Sequence, residues 1–414
     1  MHTCCKLSGK PLTQVIDLGD LYVSNFCKTV DGNAPRAPLR IGIGEGSGLL
    51  QLMDPVNRPP LYEKYWYRSG TNTTMTRQLG DVVAGVREWV RLRSGDVMLD
   101  IGCNDGTLLR QLPQNLDLFR IGIDPAENLA ELARNHCEAH STGFFNKERF
   151  MELSGGRKAR VITSIAMFYG VEDPKSFVQD IAACLADDGI WVLQLSYTPL
   201  MIKQNAFDNI CHEHIQYYTL MSLKYLVDQF DLDILDVEFN DANSGSFRVI
   251  VCKKGQGGKH ANMFLRDIGH YRVQSTLAYE KNQRFDEPQV YKDYMAKLNT
   301  LKADTLELLT RLKKQGKKVL GYGASTKGNT LLQFYGLGPD LIEAIAERQP
   351  QKYGLLTAGS WIPIISEEEM RKRKPDYLLV LPWHFMTEFI DRESAFLQGG
   401  GKFIIPLPEV QIVS

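Results

Sequence analysis

Although the chain holds eight cysteines, no two of them are spaced C-x-x-C. That scatter argues against a disulfide framework or a thiolate metal cluster, and for reduced thiols. No apolar run approaches the roughly 18–20 residues that a membrane-spanning helix needs. The opening residues MHTCCKLSGK lack a secretory apolar stretch. Neither sign of charge dominates: 48 basic residues face 49 acidic ones. Bulk charge therefore draws the chain to neither nucleic acid nor a membrane surface. The expectation is a cytoplasmic protein with no nucleic-acid or membrane partner; oligomeric state is not legible. Short-period repeats are absent too. What is present is 414 residues, 43% of them hydrophobic, enough for two or three separately cored domains.

The texture changes three times along the chain. Residues 1–75 are irregular, rich in Gly and Pro, and end in the aromatic cluster YEKYWYRSGTN. They read as a small loop-rich domain or lid. From Met75 to about Tyr197 helical and strand patterns alternate, with a helix over Arg77–Arg91 and strands at 97–101, 119–123, 160–165 and 190–195. DILDVEFN and SFRVIVCKK then read as an antiparallel extension of the same sheet. Residues 262–316 read as long amphipathic helices. A second strand–turn–helix unit opens at Lys317, with later strands in LIEAIAE, DYLLVLP and GGKFIIPL. The fold class is α/β: two Rossmann-like units joined by a helical connector behind a loop-rich N-terminal region. The divisions fall at 1–75, 76–260 and 261–414.

Residues 97–106, VMLDIGCNDG, carry the densest signal. A buried apolar strand delivers Asp100 into a loop with Gly102 and Gly106, and a helix follows. Glycines there let the backbone approach a ligand closely. The spacing D-x-G-x-x-x-G differs from the dinucleotide G-x-G-x-x-G. It resembles motif I of class I S-adenosylmethionine (SAM) methyltransferases. A second strand ends in Asp124, an acid placed to accept from both ribose hydroxyls. Asn104 and Asp105 lie in the same loop. Phe145 is placed to stack on a purine or, equally, to pack in the core. Ser164 and Ala166 end the next strand, at the edge where open α/β sheets bind ligands. Gln194 and Tyr197 end the strand after it and are expected to face the acceptor.

Cys211-His212-Glu213-His214 is the second concentration of chemistry. Two histidines at i and i+2 suit a metal only weakly without H-E-x-x-H or another Cys/His pair. A general base oriented by Glu213 or a tyrosine fits better. A structural loop is the alternative. Tyr217, Tyr218 and a helix N-cap at Thr219 follow. In the C-terminal unit, GYGASTKGN is not a Walker A loop. Ser325, Thr326 and Lys327 at a helix N-terminus still suit an anionic group, and Glu347 supplies an acid after the next strand. Packing alone is the competing reading.

Taken in order, Y-x-Y-x-S-G-x-N, DIGCNDG, AMFYGVEDP, FDNICHEHIQYYTL, N-x-x-S-G-S-F-R-V, GYGASTKGNTLLQF and KFIIPLPEV resemble the SAM-dependent sugar C-methyltransferases over essentially the whole chain. That resemblance implies a nucleotide-linked 4-keto-6-deoxysugar as substrate, lying between a SAM domain and a C-terminal Rossmann-like domain that does not bind SAM. It also implies an N-terminal zinc domain with two C-x-x-C pairs. Here those positions read Cys5-Lys6-Leu7-Ser8 and Gly44-Glu45-Gly46-Ser47. Three of four ligands are missing, so no structural zinc is expected. Cys211 stands where many relatives carry Tyr, and no His accompanies Tyr169-Gly170.

The chemistry so implied removes a proton alpha to the ketone, with C3 favoured over C5, and methylates the resulting enolate. His214 is the expected base, tuned by Glu213, with His212 in reserve. Tyr65 or Tyr67 and Asn72 are expected to hold the sugar or its developing oxyanion. Tyr217 and Tyr218 shape the pocket; Ser325, Lys327 and Asn329 hold the diphosphate or nucleotide. A sugar O- or N-methyltransferase and a non-catalytic SAM-fold binding protein are the alternatives. An NAD-dependent oxidoreductase is disfavoured by the missing third glycine in GYGAS.

Overall fold

Buried five-residue runs bounded by glycine become the centre of the largest sheet. A computed structural model describes residues 1–30, 32, 34–56, 67–242 and 245–414. Its seven-stranded sheet runs Leu232–Asn240, Ser246–Lys253, Leu185–Ser196, Ala159–Ile165, Val97–Ile101, Phe119–Asp124, Ala139–Thr142. Ser246–Lys253 runs antiparallel to both its neighbours, and the five strands from Leu185–Ser196 onward are parallel. Strand order reverses between Val97–Ile101 and Ala159–Ile165, and the crevice at such a reversal is where open α/β sheets take ligands. Val97, Met98, Leu99 and Ile101 are all buried, as both faces of a parallel sheet require.

A six-stranded sheet forms the C-terminal unit in the order Ile364–Ser366, Ile345–Glu347, Val319–Tyr322, Tyr377–Val380, Lys402–Ile405, Gln411–Val413. Helices Met263–Asn282 and Pro288–Lys314 connect the two sheets. The expected helix over Arg77–Arg91 runs over Thr73–Trp89 instead, because Asn72 caps it by accepting the Met75 amide at 3.1 Å. Among the described residues no helix is long and apolar enough to cross a membrane.

The N-terminal region is more regular than its composition suggested. Leu12–Tyr22, Arg36–Gly44 and Leu50–Leu52 form an antiparallel sheet, and its fourth strand is Gln216–Tyr217, just past the C-H-E-H loop. This sheet shares one core with the C-terminal unit: Ile16, Leu39, Phe207, Leu298, Leu331 and Leu379 belong to a single apolar cluster. Between the two loops for which the resemblance implied zinc ligands, the Cys5 sulfur lies 3.1 Å from the Ser47 hydroxyl. Gly44 has no room for a side chain, because a Cβ there would overlap that sulfur. Among the described residues no group of three His, Cys, Asp or Glu side chains could hold a metal ion.

Candidate active site

The loop after Val97–Ile101 is built around backbone shapes that only small or polar residues adopt. Gly102 and Gly106 have φ of +73° and +77°, and Asn104 has +53°. Side chains are strained there, Asn least among them. A Cβ on Gly102 would press on Met167, and one on Gly106 on His136 and Ala133. The Asn104 amide donates to Asp124 Oδ2 at 2.8 Å, and the Ala126 amide to Oδ1 at 2.8 Å. A carboxylate accepts about four hydrogen bonds, so Asp124 retains capacity for a ligand's hydroxyls.

The side chains of Asn104 and Asp105 do something not expected of them: they grip the end of the aromatic segment. Asn104 accepts from the Ser69 amide at 2.9 Å and donates to the Tyr67 carbonyl at 3.1 Å. Asp105 accepts from the Gly70 amide at 2.9 Å and from Arg68 at 3.3 Å. Tyr67 is thereby held beside the cradle; Tyr65 lies outside the described residues. Ala166 has φ of +54°, and its amide donates to the Gln194 carbonyl at 2.7 Å. Such strain at a strand's carboxyl end is a common mark of a site.

Several predicted contacts turn inward instead. Phe145 packs edge-on against Phe177 at 5.2 Å, while its neighbour Phe144 is the exposed ring. The Ser164 hydroxyl accepts from the Trp191 indole at 3.1 Å inside the core. Gln194 accepts from Asn240 and Arg248, at 3.0 and 3.1 Å. Tyr197 does not face an acceptor; its hydroxyl donates to buried Glu280 at 2.7 Å. Tyr218 is fully buried and stacked on Phe168. Asn329 is fully buried and donates to the Asn25 carbonyl at 2.9 Å. In each case packing or a long-range partner overrides position at a strand or helix end. Asn72 serves as the helix cap described above.

The histidine loop is fixed by neighbours on both sides. The Ile215 amide donates to the Tyr169 carbonyl and the Leu52 amide to the Ile215 carbonyl, each at 2.9 Å. His212 is only 2% exposed, with Nε2 at 3.0 Å from the Ala37 carbonyl, and burial lowers its pKa. It is a neutral tie to the N-terminal sheet. His214 stands at the loop's partly open side, its ring 4.1 Å from that of Tyr169. Its Nδ1 lies 2.7 Å from the Asn209 carbonyl. A carbonyl can only accept, so Nδ1 carries the proton and Nε2 of the neutral ring holds the lone pair. The Tyr217 hydroxyl donates to the His214 carbonyl at 2.9 Å.

The C-terminal unit reaches this loop. Lys327 Nζ donates to Asn209 Oδ1 at 2.6 Å, and the Trp383 indole to Asp208 Oδ2 at 3.3 Å. Ser325 caps its helix through the Gly328 amide at 2.9 Å. Asn209 and Trp383 adjoin this loop without having been singled out in the sequence, and Tyr169 had been noted only for lacking a His beside it. The one available signal was Asn209 inside FDNICHEH, five residues ahead of His214.

Residues 241–408 match the family model described as a C-methyltransferase C-terminal domain, and residues 72–237 match a methyltransferase domain model. C-methyltransferase NovU of Streptomyces niveus is 30% identical over 384 residues, covering 91% of this chain and 88% of that protein. The chain belongs to the C-methyltransferase family. It is a SAM-dependent methyltransferase. Two solved structures also align with part of it. One is an S-adenosylmethionine-dependent methyltransferase from Clostridium acetobutylicum, with 13% identity, 44% of this chain, 92% of that chain and a TM-score of 0.34. The other is magnesium protoporphyrin IX methyltransferase from Synechocystis with bound SAM, with 13% identity, 44% of this chain, 79% of that chain and a TM-score of 0.33.

In this C-methyltransferase the cradle fits SAM: backbone shaped by Gly102, Asn104 and Gly106, and an acid, Asp124, with acceptor capacity to spare. The corresponding crevice of the C-terminal unit is filled by protein. Gly323 abuts Pro382, and the Tyr322 hydroxyl lies between Glu393 and Glu367, at 2.8 and 3.0 Å. Glu347 is paired with Lys352 at 3.4 Å, and Lys352 also donates to the Ala324 carbonyl at 2.8 Å.

Asp100 beneath the cradle accepts the Thr163 hydroxyl at 2.6 Å, and burial lifts its pKa from 3.8 to about 7. Between those values the folded chain holds a proton that the unfolded chain has lost. Stability therefore falls as pH rises through that window. Relative to the Asp100→Asn variant, the cofactor-free native chain should lose up to about 4 kcal/mol between pH 4 and 7, read by urea unfolding.

Proposed function

We propose that this C-methyltransferase methylates the carbon alpha to the ketone of a nucleotide-diphosphate-linked 4-keto-6-deoxysugar, C3 in preference to C5. The observation that carries this reading is the His214 imidazole, half-buried and held by the Asn209 carbonyl at 2.7 Å in the tautomer that leaves Nε2 basic. A carbon beside a ketone becomes a nucleophile only on losing its proton, and an oriented neutral imidazole is suited to take it. The proton moves to Nε2 and the electron pair delocalises onto the ketone oxygen. Tyr67, and Tyr65 ahead of it, are assigned as donors to that oxyanion, in a site where fixed dipoles count for more than in water. Glu213, next to His214 in the chain, is assigned to stabilise the imidazolium. When bound, SAM supplies a methyl on a sulfonium centre, to which the enolate carbon bonds as the sulfonium becomes a thioether.

Asp124 and the backbone at Gly102, Asn104 and Gly106 are assigned to the cofactor, and residues 76–260 to the unit that holds it. The nucleotide is assigned to the boundary between that unit and residues 261–414, near Ser325. The test is incubation with SAM and a panel of GDP- and TDP-4-keto-6-deoxysugars in deuterated water, read by mass spectrometry. The expected product is heavier by one methyl, and without SAM one alpha C–H exchanges for deuterium. Methylation without any carbon exchange would instead favour oxygen or nitrogen as acceptor. Neither event on any sugar, with SAM bound, would overturn the reading.

A further inference from the structure

We infer that Lys327 is a positioning residue for the His214 imidazole, acting through Asn209, so that the C-terminal unit sets the orientation of the base on the neighbouring unit. The inference rests on His214 being the base proposed above. Asn209 is held at both ends: its carbonyl lies 2.7 Å from His214 Nδ1, and its side-chain oxygen accepts from Lys327 Nζ at 2.6 Å. It is 1% exposed, so its placement is dictated by these partners and not by water. Fixing the side-chain end of Asn209 fixes the plane of its carbonyl, and with it the direction of the imidazole.

Lys327 is in an electrostatically awkward place. It lies in the first turn of helix Thr326–Tyr335, where the positive end of the helix dipole disfavours a cation. Burial lowers its pKa further, while Asp208, Cys211 and Glu213 around it act to raise it. Among the described residues His384 also lies near the ammonium, and burial has pushed it down to about 3, so it stays neutral and adds no second cation. Asp208 is itself fully buried and accepts from Trp383 on the C-terminal unit. Lys327 of the C-terminal unit thus binds the side chain of the residue whose backbone carbonyl holds the base. An ammonium committed to Asn209 is poorly placed to hold a diphosphate as well, and the two roles predict different kinetics.

The test is Lys327→Met, with Lys327→Arg as the conservative variant and Asn209→Ala as its partner. Removing an outer partner of a functional histidine typically costs about 10–100-fold. The expected result is that kcat and the SAM-independent deuterium exchange both fall about 10–100-fold, while KM for the nucleotide sugar changes less than twofold. Lys327→Arg should recover part of the loss. The double variant should be no slower than the slower single one, because both act through one contact. SAM affinity, measured calorimetrically, should match the native chain and so exclude misfolding. A rise in KM with exchange and kcat intact would overturn the inference and assign Lys327 to the diphosphate. If His214→Asn itself leaves exchange intact, the reading of the base fails, whatever Lys327 does.

Discussion

Asparagine at position 214 should lower kcat by about 10²–10⁴-fold and leave SAM affinity within twofold of the native chain. The magnitude is that of losing one positioned general base. Asparagine is the informative substitution because its amide N–H can keep the bond to the Asn209 carbonyl now made by Nδ1 at 2.7 Å. The loop then keeps its anchors to Leu52 and Tyr169, and what disappears is the basic nitrogen. SAM affinity should survive because the cradle is held by its own bonds, from the Asn104 and Ala126 amides to Asp124 and from Asn104 to Ser69 and Tyr67, none of which the substitution touches. The measurement is a steady-state assay paired with SAM-free deuterium exchange at the substrate carbon and calorimetric titration of SAM. Exchange and methylation should fall together. Methylation at native kcat, or a loss confined to SAM binding, would remove His214 from the role of base. The same experiment on His212 has a different expectation. That ring is buried against the Ala37 carbonyl, so His212→Asn should cost stability more than it costs proton transfer.

How far the sequence carried this picture depends on the range over which each feature is encoded. The strands around Asp100 and Asp124 were legible because a parallel sheet buried on both faces writes itself as continuous apolar runs closed by glycine. Thr219 was legible as a cap for the same local reason: its hydroxyl accepts from the Ser222 amide three residues on, at 3.0 Å. The N-terminal sheet was not. Strand Leu12–Tyr22 is interrupted by irregularities between Gln14 and Ile16 and between Asp17 and Asp20, which break the alternation that identifies a strand. Its fourth strand comes from Gln216–Tyr217, a partner that no local pattern announces. The inward turn of Tyr197 has the same origin, since its partner Glu280 lies 83 positions away. Lys327 and Asn209 are 118 apart, so a basic residue at a helix start read naturally as an anion site. The residue types at the site were visible; who holds whom was not.

Glu280→Ala should be the most destabilising single change among the residues discussed, by roughly 3–5 kcal/mol. Glu280 is fully buried on the connector helix Met263–Asn282. One oxygen accepts from the Tyr197 hydroxyl and the Leu220 amide and the other from the Met221 amide, each at 2.7 Å. Leu220 and Met221 open helix Leu220–Val227, where the first amides have no partner inside the helix. The carboxylate thus satisfies two helix-end donors, favours the positive end of that helix's dipole, and ties both to the end of strand Leu185–Ser196. Alanine leaves three buried donors without an acceptor, and each such orphan costs about 1–3 kcal/mol. Glu280→Gln keeps the shape but offers a single oxygen to three donors and points an amide N–H₂ at one of them. Its loss should therefore fall between native and alanine. The check is urea unfolding of the three proteins side by side. Activity at a temperature well below the transition should be preserved in both variants, because among the described residues Glu280 bonds to Tyr197, Leu220 and Met221 and not to the cradle or residues 211–214. A shift in stability below 1 kcal/mol for the alanine variant would mean that water reaches these donors and that the connector is less tightly docked than its contacts imply.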